Sequence, residues 1–161
     1  MDLSSVPVQP GGMTFASHME RALREARAAA ERGEVPVGAV VVSPTGRVVS
    51  ASGNRTRELR DPTAHAEVLA LREACRLHES DRLPGHSLWV TLEPCAMCAA
   101  AIAAARIAKL FYGASDPKSG GVEHGARVFT HSQSHHIPEI VGGVASGDCA
   151  LILQDFFRDR R

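Results

Sequence analysis

From Phe15 onward the apolar residues fall at positions 15, 19, 22, 23, 26 and 30, a spacing that lines them along one side of a helix. Glu20 with Arg24, and Arg27 with Glu31, supply i,i+4 pairs on the wet side. Ser17-His18-Met19 lies inside this pattern and is read as part of it, and Gly33 ends the helix. The periodicity then changes. Residues 38–42 are a continuous apolar run, which predicts a strand covered on both faces. Ser43-Pro44-Thr45-Gly46 predicts a tight turn, and residues 48–51 return as a second strand, with Asn54 just beyond Gly53 at its end. Asp61-Pro62-Thr63 predicts a helix start with Thr63 as its cap, followed by a buried stripe of Ala64, Val68, Leu71 and Cys75. Residues 88–92 read as a third strand. Pro94 suits the first position of an alanine-rich helix that runs to about Arg106. Residues 109–113 form a fourth strand, the Gly-containing stretch 116–121 a loop, and residues 137–141 a fifth strand. A last helix starts near Ser146 with Cys149, Ile152, Leu153 and Phe156 facing inward. Strands alternating with helices predict an α/β fold: a three-layer α/β/α sandwich with a central, mixed five-stranded sheet and helices on both faces.

The length of 161 residues fits one domain, expected over residues 13–161, with residues 1–12 as a mobile tail. That tail runs through Ser, Pro and Gly without a basic and then apolar stretch, so it does not read as a secretion signal. The uncharged stretch 94–105 is too short to span a membrane. A cytoplasmic location without a membrane partner is expected. Eighteen basic residues balance eighteen acidic ones, which argues against broad attraction to nucleic acid. Local patches remain. Arg55, Arg57 and Arg60 stand with Glu58, and Arg158, Arg160 and Arg161 are opposed by Asp155 and Asp159; as charge runs, both read equally as solvated surface.

Chemistry concentrates in two fragments, His65-Ala66-Glu67 and Pro94-Cys95-Ala96-Met97-Cys98. One imidazole and two thiolates can hold a zinc ion and leave a fourth position for water. The cysteines stand at i and i+3 at a helix start, where unpaired N–H groups and the helix dipole favour thiolate. His65 and Glu67, two apart, can face one site only where a helix begins irregularly, which Asp61-Pro62-Thr63 provides. A purely structural zinc site needs a fourth Cys or His, for which the chain has no second CxxC; Cys75 and Cys149 read as small buried hydrophobes. A redox CxxC explains neither His65 nor Glu67. The combination is the H-x-E and P-C-x-x-C pattern of zinc deaminases acting on nucleobases. In that chemistry Glu67 takes a proton from water and delivers it to the ring and the leaving amine.

At these residues the chain resembles the bacterial tRNA-specific adenosine deaminases of the cytidine-deaminase-like superfamily. The resemblance covers about residues 14–161. It includes Val35-Pro36-Val37-Gly38-Ala39-Val40, Asn54-Arg55, Asp61 to Glu67, Thr91-Leu92-Glu93-Pro94-Cys95 through Cys98, Arg106-Ile107, Tyr112-Gly113-Ala114, Asp116 to Gly120 and Phe156-Phe157-Arg158. It implies conversion of the wobble adenosine of a tRNA anticodon to inosine, with the ACG-anticodon arginine tRNA as the familiar substrate. It also implies a homodimer in which each site is completed near the partner subunit. His65, Cys95 and Cys98 are then expected to bind one Zn2+ per subunit, with Glu67 as proton shuttle. Asn54 and the Ala66 backbone are expected at the base, Asp116 and Lys118 at flanking nucleotides, and Phe157, Arg160 and Arg161 at the anticodon stem-loop. DNA is not an expected partner.

Residues 122–136 match no shared motif. Their His131, His135 and His136 read as a solvated or pocket-lining loop, with a second metal site as the alternative. Two rival functions share part of this pattern: a deaminase of free guanine, cytosine or nucleosides, and a non-catalytic RNA-binding zinc module. Glu67 speaks against the second, since a structural site has no use for a carboxylate beside its ligand.

Overall fold

Alternate residues of the buried strands face two different helix layers. In the computed structural model, which describes residues 15–160 and side chains from His18 onward, β1 (Gly38–Val42) is buried at every position. Its Ala39 and Val41 join a cluster with α2 (Ala66–His78) and α3 (Ala96–Ala104), while Val40 and Val42 join one with α1 (Phe15–Glu31) and Cys149 of α4 (Ser146–Arg158). The same alternation holds in β3 (Ser87–Leu92), where Leu88 and Val90 oppose Trp89, and in β4 (Lys109–Ala114), where Leu110 and Tyr112 oppose Phe111. With β2 (Val48–Gly53) and β5 (Glu139–Val141), the sheet order is β2-β1-β3-β4-β5. β1 is antiparallel to β2 and β3, and β3, β4 and β5 are parallel. This is the expected three-layer α/β/α sandwich around a mixed five-stranded sheet. No helix among the described residues is long and apolar enough to cross a membrane. The expected tail over residues 1–12, and Arg161, lie outside the described residues.

Gly38 explains how α1 lies so close to the sheet: a Cβ there would collide with the Ala22 carbonyl. His18 and Met19 are buried in α1, consistent with reading them as part of the helix.

Two helix starts differ from expectation by two residues. Thr63 does not cap α2. Its hydroxyl and N–H both donate to Asp61 Oδ1, at 2.7 and 2.8 Å, forming a turn, and His65 is the N-cap. Pro94 is not the first helical residue of α3, because Cys95 is the N-cap. Ala64 is buried but precedes its helix, and Cys75 is only half-buried. The fifth strand is shorter than expected, since Ile137 is exposed and unpaired to the sheet.

Candidate metal centre and pocket

The half-turn shift at each helix start is what assembles the site. His65 sits at the N-cap of α2 in extended backbone (φ −71°, ψ 150°), and Glu67 sits in the first helical turn. A non-helical residue followed by a helical one lets side chains two apart turn to the same side. Cys95 likewise caps α3 in extended backbone (φ −69°, ψ 173°), with Cys98 one turn on. Because α2 and α3 pack side by side on the same face of the sheet, their N-termini meet. His65 Nδ1 lies 3.7 Å from Cys95 Sγ and 3.5 Å from Cys98 Sγ. Zinc bonded to nitrogen at about 2.0 Å and to sulfur at about 2.3 Å in a tetrahedron sets such N···S gaps near 3.5 Å. The donor set and its spacing therefore fit this ion.

Among the described residues, this trio is the one group of three or more His, Cys, Asp or Glu side chains positioned to hold a metal ion. Cys75 and Cys149 are free thiols elsewhere, so no fourth cysteine closes the site. The histidine-rich loop does not form a second centre. His131 Nε2 contacts the Ala126 carbonyl at 2.6 Å, and His136 Nε2 contacts the Ile107 carbonyl at 2.7 Å, so their rings serve separate backbone segments.

Charge at the trio follows from packing. The Cys98 thiol hydrogen-bonds to Cys95 and the His65 ring lies beside it; together they overcome burial and pull the Cys95 thiol down to about 4. Cys98, the donor of that hydrogen bond, is pushed strongly up, with burial adding to the effect. The hydrogen bond to Cys95 raises the His65 ring against the opposing effect of burial. Burial also raises the Glu67 carboxyl, outweighing its hydrogen bond to Cys98. Glu67 is thus a buried acid beside the cluster, held where it can exchange a proton.

A cavity of about 250 Å³ opens onto His65 and Cys95, with Cys98 buried behind them. Asn54, His65, Glu67, Cys95 and Asp116 all line it, so the fold brings five of the expected site residues together. Val35, Val37 and Leu92 supply apolar walls, a fitting surround for a flat heterocycle. The Ala66 N–H is engaged within the protein, donating to Asn54 Oδ1 at 2.8 Å. Asp116 Oδ1 accepts the N–H groups of Lys118 and Ser119, at 3.2 and 3.0 Å. Lys118, Phe157 and Arg160 are exposed and outside the cavity lining. On α4, Phe157 is half-exposed, and just beyond the helix the Arg160 guanidinium stacks 3.5 Å over the Phe156 ring.

Sequence reasoning assigned no role to two buried carboxylates that shape the cavity walls. Glu34 accepts backbone N–H groups of Arg57 and Glu58, and Glu93 accepts those of Asp116 and of Val122 to His124. A charged residue set directly against an apolar strand, as Glu93 is after residues 88–92, was the available signal.

The family model for MafB19-like deaminases matches residues 13–161. A tRNA-specific adenosine deaminase of Agrobacterium fabrum is 57% identical over 143 residues, covering 89% of this chain and 93% of that protein. A solved structure from work on A-to-I editing by tRNA:A34 deaminases at the wobble position of transfer RNA superposes with a TM-score of 0.84 at 56% identity, covering 86% of this chain and 99% of the other. A guanine deaminase of Bacillus subtilis is also similar, with a TM-score of 0.62 and 36% identity, over 64% of this chain and 66% of the other.

Proposed function

The chain belongs to the MafB19-like deaminase family, and on that footing we propose that it removes the exocyclic amine of a tRNA adenosine by hydrolysis, giving inosine. The observation that carries the proposal is the convergence of His65, Cys95, Glu67 and Asn54 on one cavity, in a chain so similar to tRNA-specific adenosine deaminases over most of its length. His65, Cys95 and Cys98 would hold zinc, which when bound would supply a water of lowered pKa. Glu67 takes a proton from the attacking water, whose oxygen adds to the carbon bearing the amine. The carboxyl delivers that proton to the ring nitrogen. The proton of the added hydroxyl then passes through Glu67 to the amine, the C–N bond breaks, ammonia leaves and the oxygen remains as the carbonyl of inosine. Asn54 holds the base through its amide, and the Ala66 backbone, fixed by Asn54, backs the ring.

The target base must leave its stack to reach the metal, and a single-stranded loop offers it at least cost. We take the wobble adenosine of the anticodon as the target, with the ACG-anticodon arginine tRNA as first substrate. Asp116 and Lys118 meet the flanking nucleotides. Phe157, Arg160 and Arg161 meet the stem-loop. The zero net charge fits recognition by such local contacts. We further propose a cytoplasmic homodimer. Its support is the exposed face of α3 (Met97, Ala100 and Ala104), which borders a groove of about 310 Å³ floored by Ala103 and Val128 and edged by Arg106, His131 and His135.

The deciding experiment incubates zinc-loaded protein with arginine tRNA, free adenosine, guanine and cytosine. Inosine at the wobble position with the free compounds untouched supports the proposal. Ammonia from guanine or cytosine with tRNA unchanged overturns it in favour of the free-base reading.

A further inference from the structure

Glu93 lies between the end of β3 and the start of α3, and its side chain is fully buried. A buried carboxylate is costly unless donors surround it. Five do. Oε1 accepts the Asp116 N–H at 3.1 Å and meets His124 Nδ1 at 2.7 Å. Oε2 accepts the N–H groups of Val122, Glu123 and His124 at 3.2, 3.1 and 3.1 Å. Every donor belongs to the segment 116–124, which has no helix or strand of its own.

That segment is also a wall of the cavity, through Asp116 and Ser119. Two glycines let it close on its anchor. A Cβ at Gly120 would strike Glu93 Oε2, and one at Gly121 would press on the Ala96 backbone at the start of α3. The opposite wall carries a smaller version of the device. There the buried Glu34 accepts the Arg57 and Glu58 N–H groups at 3.0 and 3.2 Å, beside Thr56 of the lining.

We propose that Glu93 is a positioning residue for substrate: by gathering the N–H groups of segment 116–124 on one carboxylate, with the His124 ring as the fifth donor, it fixes Asp116 and Ser119 at the distance from Asn54 that admits a nucleotide within an RNA loop. Glu93 itself borders the cavity, but its side chain is fully buried beneath the segment it anchors, so the carboxylate acts on binding through the wall. This rests on the tRNA reading above.

Glu93→Gln separates this role from a merely structural one. The amide nitrogen, placed on the Oε1 side, donates to His124 Nδ1 and opposes only the Asp116 N–H. The amide oxygen keeps the three other backbone donors. Asp116 is therefore released while the rest of the segment stays anchored. The expected result is a tRNA KM raised about tenfold, as for loss of one hydrogen bond to a charged acceptor. Turnover and zinc content should change far less, and the Asp116 amide should exchange its hydrogen faster by a similar factor. His124→Ala, at a ring that is partly exposed, removes one donor and should raise KM in the same direction by less; it carries the test if Glu93→Gln does not fold. Unchanged KM in both variants overturns the proposal, as does a loss confined to kcat or accompanied by loss of zinc. If the parent protein makes no inosine, the tRNA reading fails by itself. Amide exchange then decides the anchoring role, supporting it if Asp116 exchange rises in Glu93→Gln and overturning it if exchange is unchanged.

Discussion

The backbone N–H of Ala66 donates to Asn54 Oδ1 at 2.8 Å, so the side chain at the end of β2 satisfies the first amide of α2. Ala66 stands between His65 and Glu67, and this one bond ties both to the far wall of the cavity. Asn54 keeps an amide NH2 in the same cavity lining. The two ends of the amide can be tested apart. Asn54→Asp retains an acceptor for Ala66 and loses the donor. It should unfold within about 0.5 kcal/mol of the parent while deaminating at least about tenfold more slowly. Asn54→Ala loses both and should also cost about 1 kcal/mol of stability, the usual scale for a lost helix cap. Urea unfolding and the inosine assay, run on the same preparations, check both.

Glu67 is buried, and nothing in its role requires it to bind the metal. Glu67→Gln should bind zinc at the parental stoichiometry and lose about 10²- to 10⁴-fold in kcat, the range of a general acid–base group. Metal analysis beside single-turnover kinetics gives the answer, and a near-parental rate would remove Glu67 from the proton path.

Metal removal should expose one thiol selectively. The Cys98 hydrogen bond and the His65 ring hold the Cys95 thiol at about 4, whereas burial pushes Cys149 up to about 11. A thiol reacts as its anion, which exists above its pKa. Chelated protein should therefore be alkylated at Cys95 at a rate nearly flat from neutral pH down to about pH 5, and Cys149 should resist throughout. Zinc added back should protect Cys95. Peptide mass spectrometry after iodoacetamide reads all three.

Acid should loosen the turn that precedes His65. The Thr63 hydroxyl and N–H, with Arg72 nearby, hold the Asp61 carboxyl below its ordinary 3.8. A carboxyl depressed by folding contributes stability above its unfolded value and loses it as pH falls through its folded value. The parent should thus lose stability below about pH 4 more steeply than Asp61→Asn, whose amide does not titrate. Urea midpoints between pH 5 and 2.5 compare the slopes.

The metal trio was legible in the sequence because its signal is local: Cys95 and Cys98 stand one turn apart, and His65 stands beside a carboxylate. The layers were legible because continuous apolar runs such as Gly38–Val42 need covering on both faces. The exact helix starts were not. Thr63 and Pro94 suit a helix start on propensity, yet Thr63 is taken by Asp61, and the chain stays extended through His65 and Cys95. The cavity walls were hidden for a different reason. Glu93 gathers donors 23 to 31 residues away, and Glu34 gathers donors 23 and 24 away, separations that carry no periodic signature. The histidines of residues 131–136 read as a solvated or pocket-lining loop with a metal as the alternative; His131 and His136 are turned to carbonyls by the path of the loop, and His131 and His135 line the groove beside α3.

X-ray absorption at the zinc edge of the loaded protein tests the coordination at the heart of this account. The expected shell is two sulfurs at about 2.3 Å with one imidazole nitrogen and one non-protein oxygen at about 2.0 Å, the last being the water that Glu67 serves. A third sulfur, or a second imidazole in place of that oxygen, would contradict it, because a closed shell leaves no position for the attacking water.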